Sequence, residues 1–429
     1  MAAAVELAAA GVSATVFEAA PTLGGRARAV RLGELPQASV DNGQHILVGA
    51  YAQTLRLLRL VAAAPEGIDS LLLRLPLTLL YPGQVSIRAA RLPAPLHLAV
   101  ALLGARGLGL NDKFAAWRFM RAMQAQQFRL AVDLSVGALL DSQAQPERLR
   151  RYLWEPLCVA ALNTPVVMAS AQTFLNVLRD TLAGGRAASD LLLPRVDLSR
   201  LFPEPAERFV RARGGQVLRG AAVRRIRRDM QGFMLCRGDA RDGDAEGQHY
   251  AQVIIAVAPQ QLAPLVSALP ELQALSRQVA AFAWEPIITC YLAYPGAPRL
   301  PAAMVGRCDG LMQWLFDRGQ CGGPPGLFAA VISARGRHQN FPNAALAAAL
   351  HEEIATLLPG LAPPLWSRVI RERRATFACV PGLQRPATRT PLAGLWLAGD
   401  YVAGAYPATL EAAVRSGVSA AHAALAALA

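Results

Sequence analysis

At 429 residues the chain exceeds what one core of ordinary size accommodates, so two interleaved domains are expected. Hydrophobic residues at 53% against 17% charged place it at the apolar end of soluble proteins, with no internal repeat or disordered linker. The net charge of +13, almost wholly arginine because Lys113 is the only lysine, suits an anionic surface or reflects an alanine-, arginine- and leucine-rich genome. Nucleic-acid binding is disfavoured, because it needs a basic stripe with interleaved aromatics and the chain lacks one. The six cysteines, Cys158, Cys236, Cys290, Cys308, Cys321 and Cys379, are scattered without metal-ligand spacing and read as reduced core residues of a cytoplasmic protein. No charged-then-apolar leader opens the chain, and no run of about 18 uncharged apolar residues supports a spanning helix.

Residues 1–10 are alanine-rich with Val5 and Leu7 and stop at Gly11, which predicts a helix with a glycine at its C-terminal end. Ala14-Thr15-Val16-Phe17-Glu18 is a short apolar, β-branched run ending in an acid. It predicts a buried strand of a parallel sheet whose terminal carboxylate accepts the ribose hydroxyls of a dinucleotide. Gly24-Gly25-Arg26 follows, where two residues without side chains let the main chain approach a pyrophosphate and the guanidinium supplies charge. A helix followed by such a strand is the second half of a βαβ unit. A spacing of about 20 residues from glycine fingerprint to acid puts the first strand and its turn just ahead of Met1, so a longer reading frame or a truncated chain is expected. The small and polar run Asp41-Asn42-Gly43-Gln44-His45 could lie against a redox ring; in isolation it reads as a hydrogen-bonded loop with a structural imidazole.

Residues 71–80 and 92–110 are apolar but broken by Arg74, Pro76, His97 and Arg106. Too short to span a bilayer, they either cap a second domain as core helices or dip into one leaflet. Residues 113–130, with Trp117, Phe119, Met120 and Phe128, read as a helix that packs inside or lines an apolar tunnel. Glu155 and Asn163 are polar positions in an apolar stretch, and burial would demand partners for them. A further helix is expected over 169–182.

From Leu201 the pattern changes. Phe202-Pro203-Glu204-Pro205 opens a helix over 206–213 that Gly214-Gly215 ends. Strand-like runs over 221–228, 232–236 and 252–257 follow, the last two joined as a hairpin by an acidic, glycine-rich turn over 238–247. Residues 282–292 and 327–333 read as strands, 343–358 as a helix stopped by Pro359, and 371–374 as a solvated charge run or a membrane-facing rim. Gly394-Leu395-Trp396-Leu397-Ala398-Gly399-Asp400 is a buried strand ending in Gly-Asp, followed by an alanine-rich helix over 409–428. Main-chain amides at that helix start can meet a phosphate, while Asp400 can accept hydrogen bonds from a polyol.

With Glu18 and Gly24-Gly25-Arg26 near one end and Gly399-Asp400 near the other, the chain resembles the flavin-dependent amine oxidase and phytoene desaturase superfamily, in which these elements hold FAD. Within it the chain is similar to the bacterial hydroxysqualene dehydroxylases, also described as squalene-associated FAD-dependent desaturases. The similarity lies in the run from Asp41 to Tyr51, in Trp154-Glu155-Pro156-Leu157, in Ala161-Leu162-Asn163-Thr164-Pro165, and in the run from Ser189 to Asp197. The resemblance implies an α/β fold: a Rossmann-like FAD-binding domain over 1–60, 200–262 and 385–429, without its first strand and glycine loop, interleaved with a mixed α+β apolar substrate-binding domain over 61–199 and 263–384. It implies FAD contacts at Glu18, Gly24, Gly25, Arg26, Gln44, Gly399 and Asp400, the Val223 main chain against the adenine, and the segment from Tyr401 to Pro407 near the isoalloxazine ring.

The activity so implied is reduction of hydroxysqualene to squalene with loss of water, an isoprenoid step that supplies hopanoid precursors. An allylic hydroxyl leaves once protonated and the resulting cation takes a hydride, so the protein must supply a dry tunnel and a proton donor. His45 is the first candidate donor, with Tyr406 and Glu411 behind it. The implied partners are a lipophilic isoprenoid substrate, a separate electron donor and, peripherally, the inner face of the cytoplasmic membrane, with no metal and no nucleic acid. Two other classes stay open. A carotenoid-type (phytoene) desaturase or amine oxidase shares the flavin residues and reverses the electron flow, although the lipophilic middle shows little sign of a caged amine site. A non-enzymatic reading is an inactive fragment or a membrane-associated scaffold.

Overall fold

The structure, a computed structural model, describes residues 1–35, 39–62, 67–237 and 247–428; the predicted turn over 238–247 lies outside them except for Gly247. The chain opens with the helix Ala2–Ala9, and Gly11 at φ +77 turns it into the strand Thr15–Glu18. That strand is half-buried rather than fully buried, and it pairs in parallel with Gln216–Arg219, Glu18 lying opposite Arg219. A second parallel pair joins Val253–Ile255 to Leu395–Leu397. Helices Ala2–Ala9, Pro203–Arg211 and Leu410–Ala426 cover the first pair, Val5, Ala8, Val210 and Val418 packing in one cluster with Val217 of the strand. Small residues let the first and last of these helices touch, since a Cβ on Gly417 would stand 3.1 Å from that of Ala2. Helices packed over parallel strands are the Rossmann-like, doubly wound arrangement.

The strand grouping after Arg213 differs from expectation. Gly232–Cys236 pairs with Arg225–Asp229 and with Gln248–Tyr250, whereas Val253–Ile255 leaves that sheet for Leu395–Leu397. Val253-Ile254-Ile255 is an unbroken β-branched triplet and therefore favours a parallel pairing covered on both faces. A five-stranded antiparallel sheet in the order Met304–Gly306, Trp314–Asp317, Leu327–Ser333, Trp284–Ala293, Trp366–Phe377 builds the other half of the molecule. The helix Asn343–Ala355 covers one face of it through Leu346, Leu350 and Ile354, packed on Ile288, Leu292, Phe328 and Ile332. Its other face, with Tyr291, Ala329 and Val331, joins the large core.

The charge run 371–374 lies on a strand, with Arg373 and Arg374 exposed. This is the edge strand Trp366–Phe377, where Arg371 reaches the Asn343 side chain at 2.8 Å. The apolar run over 71–80 forms two strands, Leu72–Leu75 and Thr78–Tyr81, instead of a capping helix. Residues 92–110 contain the helix Leu96–Leu103, and the next helix is Leu110–Ala125. Among the described residues no helix is long and apolar enough to cross a membrane.

Asn163 meets the demand for partners that burial imposes. It ends the helix Glu155–Leu162 in the left-handed region at φ 47, which asparagine tolerates better than most residues. Its Nδ2 donates to Thr376 Oγ1 at 2.9 Å and to the Pro286 carbonyl at 3.3 Å, and its Oδ1 accepts the Ala334 N–H at 2.7 Å. One amide thus ties a helix end to three segments of the antiparallel half, while Glu155 stays half-exposed beside Arg150 at 3.6 Å. Replacing Asn163 by Ala is expected to lower unfolding stability by about 2–4 kcal/mol, because it strands buried partners and strains the left-handed turn. A lowered urea midpoint at unchanged slope is the measurement that checks it.

Candidate active site

The two ends of the chain meet at Arg26. Its Nη2 lies 2.6 Å from Asp400 Oδ2 across 374 positions of sequence, and its Nη1 donates to the Ala375 carbonyl on the edge strand. Glu18 stands at the C-terminal end of its strand, where one oxygen accepts the Ala20 N–H at 2.8 Å and the other has no protein partner among the described residues. The Glu18 carbonyl accepts the Ala221 N–H at 2.8 Å, which brings the turn before Val223 to the same strand end. Among the described residues neither main-chain group of Val223 has a protein partner, so both can serve a base edge.

The glycines are required for two different reasons. Gly24 sits at φ +107 and a Cβ there would lie 2.4 Å from the Ala27 carbonyl, so a side chain cannot be accommodated. Gly25, at φ +59, has nothing within 4 Å of that position; its carbonyl accepts from Arg28 Nη1 at 2.5 Å, while among the described residues its N–H has no protein partner and is open to an approaching group. At the other end Gly399 donates its N–H to Ser416 Oγ at 2.8 Å and is pressed against the Tyr401 ring. The Tyr401 hydroxyl is buried with no hydrogen-bond partner among the described residues, and burial pushes its pKa well up. A free carboxylate oxygen, bare main chain, a guanidinium and an orphaned hydroxyl on segments from both ends of the chain fit a dinucleotide cofactor.

The Asp41–His45 run packs between these elements and the antiparallel sheet. Asn42 donates to the Arg26 carbonyl at 3.2 Å, and the Gln44 N–H donates to Thr289 Oγ1 at 3.4 Å. Gln44 Oε1 accepts from Arg318, a buried guanidinium, at 3.1 Å. His45 Nδ1 lies 2.6 Å from the Gly43 carbonyl, so in the neutral ring the proton sits on Nδ1 and Nε2 is an acceptor. Burial holds His45 below its ordinary pKa against the pull of that carbonyl, and the Arg26 charge adds to the lowering. Whereas His45 is half-buried, Asp41 is buried. Desolvation pushes its pKa up to about 6, although its carboxylate accepts the Leu198 N–H at 2.8 Å and feels Arg318.

The other two expected donors have their polar atoms committed. The Tyr406 hydroxyl donates to Asp180 Oδ2 at 2.7 Å, under the Arg415 guanidinium at 4.4 Å from the ring centre. Glu411 is fully buried, and its oxygens accept the N–H groups of Gln53 and Thr54, the Thr54 hydroxyl and Arg415 Nε. It supplies from a distance the cap that helix Ala52–Val61 lacks in its own sequence. Tyr406 is fixed by Arg385, which donates to its carbonyl at 2.8 Å, and Asn176 holds the neighbouring Ala405 carbonyl at 3.0 Å. Sequence reasoning missed Arg318 and gave Asp41 no role; an arginine in a short polar turn reads as solvated, and its partner Gln44 is 274 positions away.

A doubly wound half whose strand ends offer groups that fit a dinucleotide, closed by an antiparallel half, is the arrangement of a flavin-dependent oxidoreductase. The chain belongs to the family of flavin-containing amine oxidoreductases, whose model matches residues 1–425, and its cofactor is FAD. It is 30% identical to a hydroxysqualene dehydroxylase of Rhodopseudomonas palustris, over 100% of this chain and 96% of that protein. It is 28% identical to one of Sinorhizobium fredii, over 99% and 95%. Among solved structures, the cyclohexylamine oxidase of Brevibacterium oxydans superposes with a TM-score of 0.67 at 17% identity, covering 100% of this chain and 96% of that one.

Arg26→Gln and Asp400→Asn are each expected to weaken FAD retention about tenfold, some 1.4 kcal/mol. Visible flavin absorbance after dialysis reads it, and the double variant should resemble either single one because the two groups act as a pair. Asp41 makes a separate prediction about pH. Its folded pKa is raised, so the native state holds the proton more tightly than the unfolded chain, and stability falls as pH rises from about 4 through 6. Asp41→Asn should remove that dependence, gaining on the parent by up to about 3 kcal/mol between pH 4 and 7 in urea unfolding.

Proposed function

We propose that this chain reduces hydroxysqualene to squalene with loss of water, feeding hopanoid synthesis, at the inner face of the cytoplasmic membrane where such a lipid resides. The observation that carries this reading is the similarity to hydroxysqualene dehydroxylases along the whole chain at up to 30% identity. The balance is one carbon–oxygen bond broken and one carbon–hydrogen bond formed: the hydroxyl leaves as water after taking a proton, and the carbon takes a hydride. FAD, reduced by a separate electron donor, supplies the hydride equivalent when bound. Glu18, Gly24, Gly25, Arg26, Val223, Gly399 and Asp400 would hold it, and Gln44, kept in place by Arg318 and Thr289, would complete that wall.

The chain's own task is the proton. His45 is proposed to deliver it from Nε2, with Nδ1–H anchored on the Gly43 carbonyl so that the ring cannot turn away. Because burial depresses the ring, Nε2 is protonated in only a minority of molecules at neutral pH, and the proton it does hold is readily released. Tyr406 and Glu411 remain as second candidates that would first have to give up the bonds described above. The apolar walls of the antiparallel half would keep water from the cation formed as the hydroxyl departs.

Anaerobic incubation of the FAD-loaded protein with hydroxysqualene and a chemical reductant should yield squalene. No squalene, together with oxidation of phytoene or of an amine under air, would replace this reading by one of the oxidising activities. With the cofactor kept reduced, turnover should rise as pH falls through a value below 6.5, the ordinary histidine pKa. In His45→Asn the same profile should be flat and turnover about 10²-fold lower, the scale of one lost general acid, with flavin still bound.

A further inference from the structure

Two consecutive helices bury one face and turn large apolar side chains outward on the other. On Leu96–Leu103, His97 and Ala101 are buried, while Leu96, Val100 and Leu103 are 55%, 44% and 70% exposed. On Leu110–Ala125, Ala115, Ala116, Phe119 and Met123 are buried, while Leu110, Phe114 and Trp117 are 83%, 59% and 53% exposed. Both exposed sets follow the spacing i, i+4, i+7, so each is one continuous stripe along its helix. The Lys113 ammonium donates to the Leu103 carbonyl at 2.6 Å and joins the stripes where the first helix ends. The Phe114 and Trp117 rings lie 5.6 Å apart and form an aromatic ridge on the surface. Apolar stripes of this length on consecutive helices make a contact surface rather than scattered exposure.

Charge selects the occupant. Between residues 88 and 129 the chain carries seven cations, six arginines and Lys113, against the single acid Asp112. Asp112 is itself committed to capping its helix, accepting the Gly109 N–H at 2.9 Å. Among the described residues none of those seven cations forms an ion pair. Lys113 and Arg118 flank the second stripe, and Arg121 extends it one turn beyond Trp117. An apolar stripe edged by unpaired cations complements an anionic lipid leaflet: hydrocarbon side chains enter below the head groups, and arginines meet the phosphates.

We propose that the outward faces of Leu96–Leu103 and Leu110–Ala125 dock this protein on an anionic phospholipid bilayer, both helices lying along its surface. The proposal rests on the peripheral placement given above and not on the reaction. The test is flotation of the FAD-loaded full chain with phosphatidylglycerol-containing and pure phosphatidylcholine vesicles at low and high salt. The parent should float with the anionic vesicles and be released by salt. Leu103→Glu with Phe114→Glu should cut the bound fraction at least tenfold, while Met230→Glu, at a fully exposed apolar residue in a strand turn, should not. Parent protein left in the soluble fraction at low salt, salt-insensitive binding to neutral vesicles, or equal loss in Met230→Glu would overturn the proposal. So would a dimer in sedimentation that the double variant splits, since the face would then belong to a second copy. Turnover of detergent-dispersed hydroxysqualene should be unchanged in the double variant, which separates failure of docking from failure of the reaction.

Discussion

The guanidinium of Arg26 is the junction on which the site depends. It bonds Asp400 from the far end of the chain and the Ala375 carbonyl on the edge of the antiparallel sheet, so three distant segments converge on one planar group. Asp400 is almost buried and Arg26 about one-third exposed, so solvent screens the pair only in part. Its contribution to stability is modest beside the cores on either side. Its effect on position is larger, because a fork of fixed geometry sets where the glycine turn, the acid and the sheet stand relative to one another.

The same economy of contacts recurs around the Asp41–His45 run. Arg318 orients Gln44, Thr289 holds the Gln44 amide, the Tyr291 hydroxyl donates to the Asp41 carbonyl at 3.0 Å, and Gly43 fixes the His45 tautomer. Each partner comes from the antiparallel half or the run itself. A redox ring lying between the halves would therefore meet a wall whose polar atoms are satisfied from behind. Buried polar groups arranged in this way are rigid, and rigidity is what the proposed reaction, in which a hydroxyl departs to leave a cation, would require of its surroundings.

Much of this was legible in the sequence wherever local pattern and tertiary role agreed. The helix Ala2–Ala9, the strand Thr15–Glu18 and the terminal module with Gly399 and Asp400 lie where hydrophobic pattern and glycines put them. The strand Gln216–Arg219, the partner of the acid-bearing strand, escaped notice because it is four residues long, only Val217 is buried and both its ends are polar and exposed. The run over 71–80 was read by its hydrophobicity, yet its pairing with Leu191–Pro194 and Val85–Arg88 makes it strands. In the sequence Glu411 ranks behind His45 as a candidate donor; its role as the distant cap of Ala52–Val61 has no local signature. Where a residue's partner lies hundreds of positions away, neither periodicity nor propensity carries the information.

The edge strand Trp366–Phe377 leaves one outer border of a five-stranded sheet, the kind of border that invites another chain to add a strand. Arg26 occupies the Ala375 carbonyl on that border, Arg368 pairs with Glu34, and Arg373 and Arg374 stand exposed beside them. Recruitment of a foreign strand would require displacing these bonds and setting positive charges against the newcomer. A chain that is more than half hydrophobic is thereby given a charged, bonded terminus to its largest sheet, which disfavours ribbon-like polymerisation along the same border that meets Arg26.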